Sequence, residues 1–91
     1  METVRAKFRL DEVRSSIMHR YETQPDGTSK TVPRELRTLV FNPVSKGTSP
    51  ENDLFWQYTP SGRVELGTIN PEAWAQFELG KEYYLDFAPA S

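Results

Sequence analysis

Hydrophobic and polar residues alternate along the first part of the chain. Between residues 3 and 10 every second side chain is apolar, and the side chains between them are basic: Arg5, Lys7 and Arg9. A period of two is typical of a β-strand with one buried face, because successive side chains point to opposite faces. We therefore predict a strand over 3–10 that carries a basic row. The alternation weakens over 11–16, and residues 17–21 either continue this strand or form a second extended segment.

Turn-forming residues divide the middle of the chain. Residues 24–29 contain Pro, Asp and Gly together, which predicts a surface loop. The next stretch, 34–44, is rich in apolar and β-branched residues and predicts a second strand that closes at Asn42-Pro43. Ser49 followed by Pro50 predicts the N-cap and first turn of a short helix. Residues 54–58 continue from it to a turn at 59–62.

Alternation returns in the last third of the chain. It predicts a strand over 63–69, a helix that begins at Asn70-Pro71 and extends to about residue 78, and a final strand over 81–87. In that final strand Tyr83, Leu85 and Phe87 are expected to point inward. The complete order predicts one mainly β domain over 1–91 with one or two short helices. A small curled antiparallel sheet or partly open barrel of four to five strands fits this order.

Composition limits the class of protein. The chain has 91 residues, of which 36% are hydrophobic and 12% aromatic, enough for one modest core. No apolar run is long enough to cross a membrane, and the first residues lack the apolar segment of a signal peptide. We therefore expect no membrane association, and a protein that stays in the compartment where it is made.

Charge is unevenly distributed along the chain. Residues 1–37 hold eight Lys/Arg against six Asp/Glu, whereas residues 38–91 hold three against seven, giving about +2 and −4. The net charge of −2 argues against general nucleic-acid binding, which normally leaves a basic signature. A local anion site in the first part of the chain remains compatible with this distribution.

The sequence offers little equipment for catalysis. It has no cysteine, and its one histidine, His19, has no neighbour at the spacing of a catalytic triad. A phosphate-binding glycine loop is absent from the sequence, and its carboxylates are more typical of solvated faces and helix caps than of metal cages. We predict a protein that is not an enzyme and uses neither a cofactor nor a metal.

Two stretches are candidates for a ligand site. The basic row of the first strand could contact phosphates, or it could be a solvated face that protects an edge strand. The segment 55–63 combines large aromatics, hydroxyls and an arginine, a set that can stack bases and hold phosphate, although packing of Phe55 with Trp56 or Tyr58 in the core is the alternative. The candidate ligand-binding residues are Arg5, Lys7, Arg9, Trp56, Tyr58, Ser61 and Arg63.

A longer pattern covers nearly the whole chain. Its most specific part is the C-terminal half, with Thr59-Pro60-Ser61-Gly62, Leu66-Gly67-Thr68-Ile69-Asn70-Pro71 and Lys81-Glu82-Tyr83-Tyr84-Leu85-Asp86-Phe87, and Arg5-Ala6-Lys7-Phe8 adds to it near the start. This pattern resembles a family of small, mostly uncharacterised tailed-bacteriophage proteins. The resemblance implies a phage origin and a location in the host cytoplasm, and it transfers no catalytic residue. The loop within 14–34 is longer here than the family's usual form.

Two functional hypotheses arise from these patterns. The first is a homo-oligomeric binding protein that sequesters a small anionic ligand, such as a cyclic nucleotide of bacterial defence, between the basic row and the segment 56–63. The second is a protein-interaction module that inhibits a host protein or decorates the virion. The absence of a catalytic motif favours both hypotheses over an enzyme.

Overall fold

A computed structural model describes residues 4–90 of the chain. Thr3, which we predicted in the first strand, lies outside the described residues. The order of element types is the predicted one, and the six elements are β1 (Val4–Thr23), β2 (Ser29–Pro43), α1 (Pro50–Tyr58), β3 (Val64–Thr68), α2 (Pro71–Trp74) and β4 (Glu82–Phe87).

The four strands form one antiparallel sheet that does not close into a barrel. Their order across the sheet is β3-β2-β1-β4, so the two longest strands lie in the centre. The mainly β fold class predicted from the sequence is confirmed. Each short strand pairs with only part of a long one. β4 pairs with residues 4–9 of β1, and β3 pairs with residues 37–41 of β2.

The strand β1 is longer than predicted because a β-bulge interrupts its alternation, and β2 begins at Ser29, before the predicted residue 34. Leu10 lies opposite Phe41 and Glu12 lies opposite Val40, so Asp11 is an extra residue in β1. A bulge shifts the alternation of faces by one residue, and the strand then continues in the new phase. The predicted loop at 24–29 shrinks to a tight turn in which Gln24 N–H donates to Thr28 O over 2.7 Å.

One face of the sheet carries the main core, and we call it the core face. Cross-strand partners share a face, so the side chains of Phe8, Tyr83 and Phe41 meet there. The ring of Phe77, from the segment after α2, packs edge-on against Phe41 and Tyr83 with centroid distances of 5.6 and 5.1 Å. The buried members of this cluster are Ala6, Phe8, Leu10, Leu39 and Phe41.

The opposite face of the sheet is covered in part by α1, and we call it the helix face. Ser49 caps this helix by accepting a hydrogen bond from Asn52 N–H, and Pro50 occupies its first turn, as predicted. Phe55 packs against Tyr84 with ring centroids 6.0 Å apart. Val40, which alternates with Leu39 and Phe41, is buried on this side.

Two local predictions were wrong. The helix predicted to extend to about residue 78 ends at Trp74, and the chain then turns so that Phe77 reaches the core face. Phe87, expected to point inward, is exposed, because it lies opposite Val4 near the end of the sheet, where Val4 is exposed too.

Candidate functional site

The basic row of the first strand lies on the helix face of the sheet. Arg5, Lys7 and Arg9 alternate with the buried Ala6, Phe8 and Leu10, which confirms the predicted alternation. Each of the three cations has a carboxylate beside it in the folded chain. Neighbouring carboxylates therefore balance the positive charge of the basic row.

Arg5 and Arg9 make the closest of these ion pairs. Arg5 donates two hydrogen bonds to Asp86, from Nε over 2.7 Å and from Nη2 over 3.0 Å. Arg9 donates from Nε to Asp11 Oδ1 over 2.6 Å, and the second oxygen of Asp11 accepts from Asn42 Nδ2 over 2.8 Å. The hydrogen bond from Arg9, together with the one from Asn42, lowers the pKa of Asp11.

Lys7 lies between the sheet and α1. Its side chain is only 12% exposed, and its Nζ lies 3.3 Å from Glu51 of the helix and 3.5 Å from Glu82 of β4. Glu51 also accepts a hydrogen bond from the hydroxyl of Tyr84, which together with the contact to Lys7 lowers the pKa of the Glu51 carboxyl. Partial burial opposes the charge of Lys7, but its two carboxylate partners outweigh burial and raise its pKa.

The second candidate stretch is dispersed over the end of α1 and the connection to β3. Trp56 and Tyr58 are exposed, and the ammonium of Lys46 lies 5.4 Å from the centroid of the Trp56 ring. Ser61 is exposed in the connection to β3. Arg63 donates to Glu65 Oε1 over 2.8 Å, so this cation is also paired.

The two stretches make no direct polar contact with each other in the described part of the chain. Within residues 4–90 no hydrogen bond or ion pair joins the basic row to Trp56, Tyr58, Ser61 or Arg63. The helix α1 contacts the basic row through Glu51 near its beginning, whereas Trp56 and Tyr58 lie near its end. An anion that bound the basic row would have to displace carboxylates that already neutralise it.

The most prominent surface of the molecule was missing from our predictions. Over residues 16–36 the sheet narrows to a two-stranded ribbon, which we call the arm. Ile17 and Tyr21 lie on its core-face side and are 64% and 78% exposed, and Val13 at its base is 40% exposed. The sequence pattern that indicates it is the alternation over 13–21, which is visible once the one-residue phase shift at Asp11 is allowed.

A small cavity opens on the core face of the sheet. Its volume is about 130 Å³. Its lining is almost entirely apolar, so it lacks the convergent polar groups that orient a substrate. The residues around it are Phe8, Phe41, Val64, Leu66, Phe77, Tyr83, Tyr84 and Leu85.

Side chains that could ligate a metal are scattered over the described part of the chain. Across residues 4–90 no group of three or more His, Asp or Glu side chains is placed to hold a metal ion. In the same range neither helix combines the length and the apolar character that crossing a bilayer requires.

Comparison with known proteins finds no relative of this chain. No protein-family model, no curated protein and no solved structure matches it. A functional proposal therefore rests on the geometry of the chain's own residues.

Proposed function

We propose that this chain is a non-enzymatic protein-interaction module that binds a protein partner through the core-face side of the arm, where Ile17 and Tyr21 are exposed. We call this side the apolar side of the arm. The observation that carries the proposal is the exposure of Ile17 and Tyr21 on one side of a ribbon that projects from the rest of the sheet. Exposed apolar residues that line up on a protruding element are typical of a protein-binding surface.

The charge of the arm supports a protein as the partner. Residues 16–36 contain three Lys/Arg and three Asp/Glu, so the arm carries no net charge with His19 neutral. Arg34 and Glu22 on this ribbon form an ion pair with each other, with Arg34 Nε 2.7 Å from the carboxylate. A neutral surface with an apolar side suits another protein better than a phosphate-bearing ligand.

The cyclic-nucleotide hypothesis remains a prediction with weaker support. All four cations of the candidate set, Arg5, Lys7, Arg9 and Arg63, already contact carboxylates. Isothermal titration against a panel of cyclic oligonucleotides tests it, and saturable heat that is lost on replacing Lys7 would support it.

The phage origin and the host-cytoplasm location implied by the family resemblance also remain predictions. They indicate where a partner is to be sought, which is in bacterial host lysate for an inhibitor and in purified particles for a virion accessory. Recovery in stoichiometric amounts with virions would favour the accessory role.

The proposal is tested by capture of the partner with matched variants. Ile17→Ser removes an apolar side chain from the arm, and Leu79→Ser removes one of equal exposure, 64%, from a turn outside it. We expect Ile17→Ser, combined with Tyr21→Ser, to lose the partner that the wild type captures, and Leu79→Ser to retain it. The proposal would be contradicted if the variant with Ile17→Ser and Tyr21→Ser still captured the partner, or if Leu79→Ser lost it as well.

A further inference from the structure

The arm leaves one long strand edge without a pairing strand. β4 pairs with β1 only up to Arg9, and among residues 4–90 no strand pairs with the side of β1 that faces away from β2 over residues 13–23. We call this side the outer edge of β1. A strand edge of this length presents a row of backbone N–H and C=O groups to which another strand can add.

A proline makes the two edges of the arm unequal. Pro33 of β2 lies opposite His19 of β1, and proline has no N–H, so its nitrogen must face away from β1. The outer edge of β2 is therefore interrupted at Pro33, whereas β1 has no proline between residues 13 and 23. Of the two edges of the arm, only the outer edge of β1 offers an unbroken run of donors and acceptors.

The position of Pro33 also determines which residues of β1 direct their backbone N–H and C=O groups to the outer edge. In an antiparallel pair, hydrogen-bonded and non-hydrogen-bonded partners alternate along the strands. Because His19 and Pro33 form a non-hydrogen-bonded pair, the odd-numbered residues from Val13 to Thr23 direct their N–H and C=O groups to the outer edge. These same odd-numbered residues include Ile17 and Tyr21, whose side chains form the apolar side of the arm.

We infer that the outer edge of β1 pairs antiparallel with the same edge of a second copy of this chain, centred on Ile17. This inference rests on the proposed function in using the arm as the binding element. Val13, Ile17 and Tyr21 are evenly spaced, four residues apart, so the pattern reads the same in both directions around Ile17. A two-fold pair then places Ile17 opposite Ile17 and Val13 opposite Tyr21, with all three pairs on one face.

On the other side of the arm, this register places Arg14 opposite Arg20 of the second copy and Glu12 opposite Glu22. Like charges that lie directly opposite each other are destabilising, but Arg14 already contacts Glu65 over 2.9 Å and Glu22 accepts from Arg34, so these two groups are paired within their own chain. The two-fold pair therefore depends on its apolar pairs and its main-chain hydrogen bonds. The product is a four-stranded ribbon in place of a two-stranded one, which on its own is only marginally stable in water.

The first test exchanges one residue for proline on each edge of the arm. His19→Pro removes an outward N–H from β1, and Thr31→Pro removes an outward N–H from β2, with Thr31 opposite Tyr21. Native mass spectrometry and light scattering should show a dimeric wild type and a dimeric Thr31→Pro variant. The dissociation constant of the His19→Pro dimer should be at least about tenfold higher than that of the wild type, because a symmetric pair loses two main-chain hydrogen bonds.

The second test is a cross-link, which the lack of native cysteines makes unambiguous. Hydrogen-bonded antiparallel partners have Cα atoms about 5.5 Å apart, within the range of a disulfide. Under mild oxidation the Ile17→Cys variant should form disulfide-linked dimers. The control Thr31→Cys, on the same side of the arm but on β2, should stay monomeric on a non-reducing gel.

Several results would overturn the inference. They are a wild type that is monomeric at every concentration, a His19→Pro variant that dimerises like the wild type with its circular dichroism unchanged, and cross-linking at residue 31 in place of residue 17. A monomeric wild type that still captures its partner through Ile17 and Tyr21 would leave the proposed function standing. A dimeric wild type whose capture is insensitive to these side chains would support the pairing and contradict the proposed function.

Discussion

Asp11 shows how one residue can set the geometry of a whole strand. It is the extra residue of the bulge in β1, and its carboxylate accepts from Arg9 on its own strand and from Asn42 on β2. These two hydrogen bonds hold the bulge at one position, because a shift of register would separate the three side chains. The bulge in turn moves Ile17 and Tyr21 to the side of the sheet that carries Leu10 and Phe41.

The lowered pKa of Asp11 predicts an acid-dependent loss of stability. A carboxyl whose pKa is lower in the folded than in the unfolded chain contributes stability above its unfolded pKa, about 3.9, and this contribution is lost as pH falls through the folded pKa. On acidification from neutral pH to about pH 2, the free energy of unfolding should therefore fall less in the Asp11→Asn variant than in the wild type. Urea unfolding at both pH values measures this difference.

Glu72→Gln serves as the control for this measurement. It also removes one carboxylate, and within the described part of the chain the Glu72 side chain accepts no hydrogen bond. Its acid-dependent loss of stability should match that of the wild type. Equal behaviour of Asp11→Asn and Glu72→Gln would show that the contacts of Asp11 contribute nothing.

At the scale of elements, the attachment of α1 to the sheet depends on a buried amide. Asn52 is 2% exposed, and its Nδ2 donates to Thr48 Oγ1 and to Glu82 Oε2, both over 2.8 Å. Within residues 4–90 its Oδ1 accepts no hydrogen bond. The helix is thus fixed to β4 by a donor, next to the ion pairs that Lys7 makes with Glu51 and Glu82.

Asn52→Asp should destabilise the fold strongly near neutral pH. It replaces the donor that faces Glu82 by a second carboxylate, and a buried charge without a partner costs about 3 kcal/mol or more. Much of the loss should be recovered when acidification protonates the added carboxyl. Asn70→Asp is the matched control, because Asn70 is an exposed N-cap where aspartate serves equally well. Chemical unfolding of both variants measures the difference, and a similar small effect in both would contradict this role of Asn52.

Much of this arrangement could be predicted from local sequence patterns. Ser49-Pro50 and Asn70-Pro71 predict where both helices begin, alternation predicts three of the strands, and the apolar and β-branched stretch 34–44 predicts the fourth. All of these signals depend on residues that are near neighbours in the sequence. The bulge at Asp11 hid the arm, since it broke the alternation over the residues that continue β1.

The pairing of the basic row was beyond such local patterns. Asp86 and Glu51 lie 81 and 44 residues from Arg5 and Lys7 along the chain, and only the position of β4 beside β1 and the placement of α1 bring them together. The sequence predicts the cations and their common face. It does not predict their partners, because those depend on the sheet order.

The whole molecule is elongated. Its extents are 57, 32 and 19 Å, and its radius of gyration is 17.4 Å, whereas a compact chain of this length would have about 12 Å. The arm accounts for this shape, since it extends the sheet beyond both short strands. The buried core cluster of Phe8, Leu10, Leu39 and their neighbours lies entirely outside residues 16–36.

Shortening the arm should therefore leave the rest of the fold intact. Ser16 and Leu36 are cross-strand partners, so an Asn-Gly turn can replace residues 17–35 between them. The shortened chain should unfold cooperatively with its core contacts preserved, and its radius of gyration should fall to about 11–12 Å in small-angle X-ray scattering. The wild type is the reference for the unfolding transition, and a shortened chain that lacks one would contradict the independence of the core from the arm.

The single proline in the β2 strand of the arm has a consequence for assembly as a whole. A ribbon with two open edges can add copies on both sides without limit, which is the route to fibres. Pro33 leaves this chain one continuous edge, and a strand that is used on one side by a two-fold partner has no second site for a third copy. In the inferred two-fold pair, growth therefore ends at two copies, and the residue that stops further addition is one that lacks a hydrogen-bond donor.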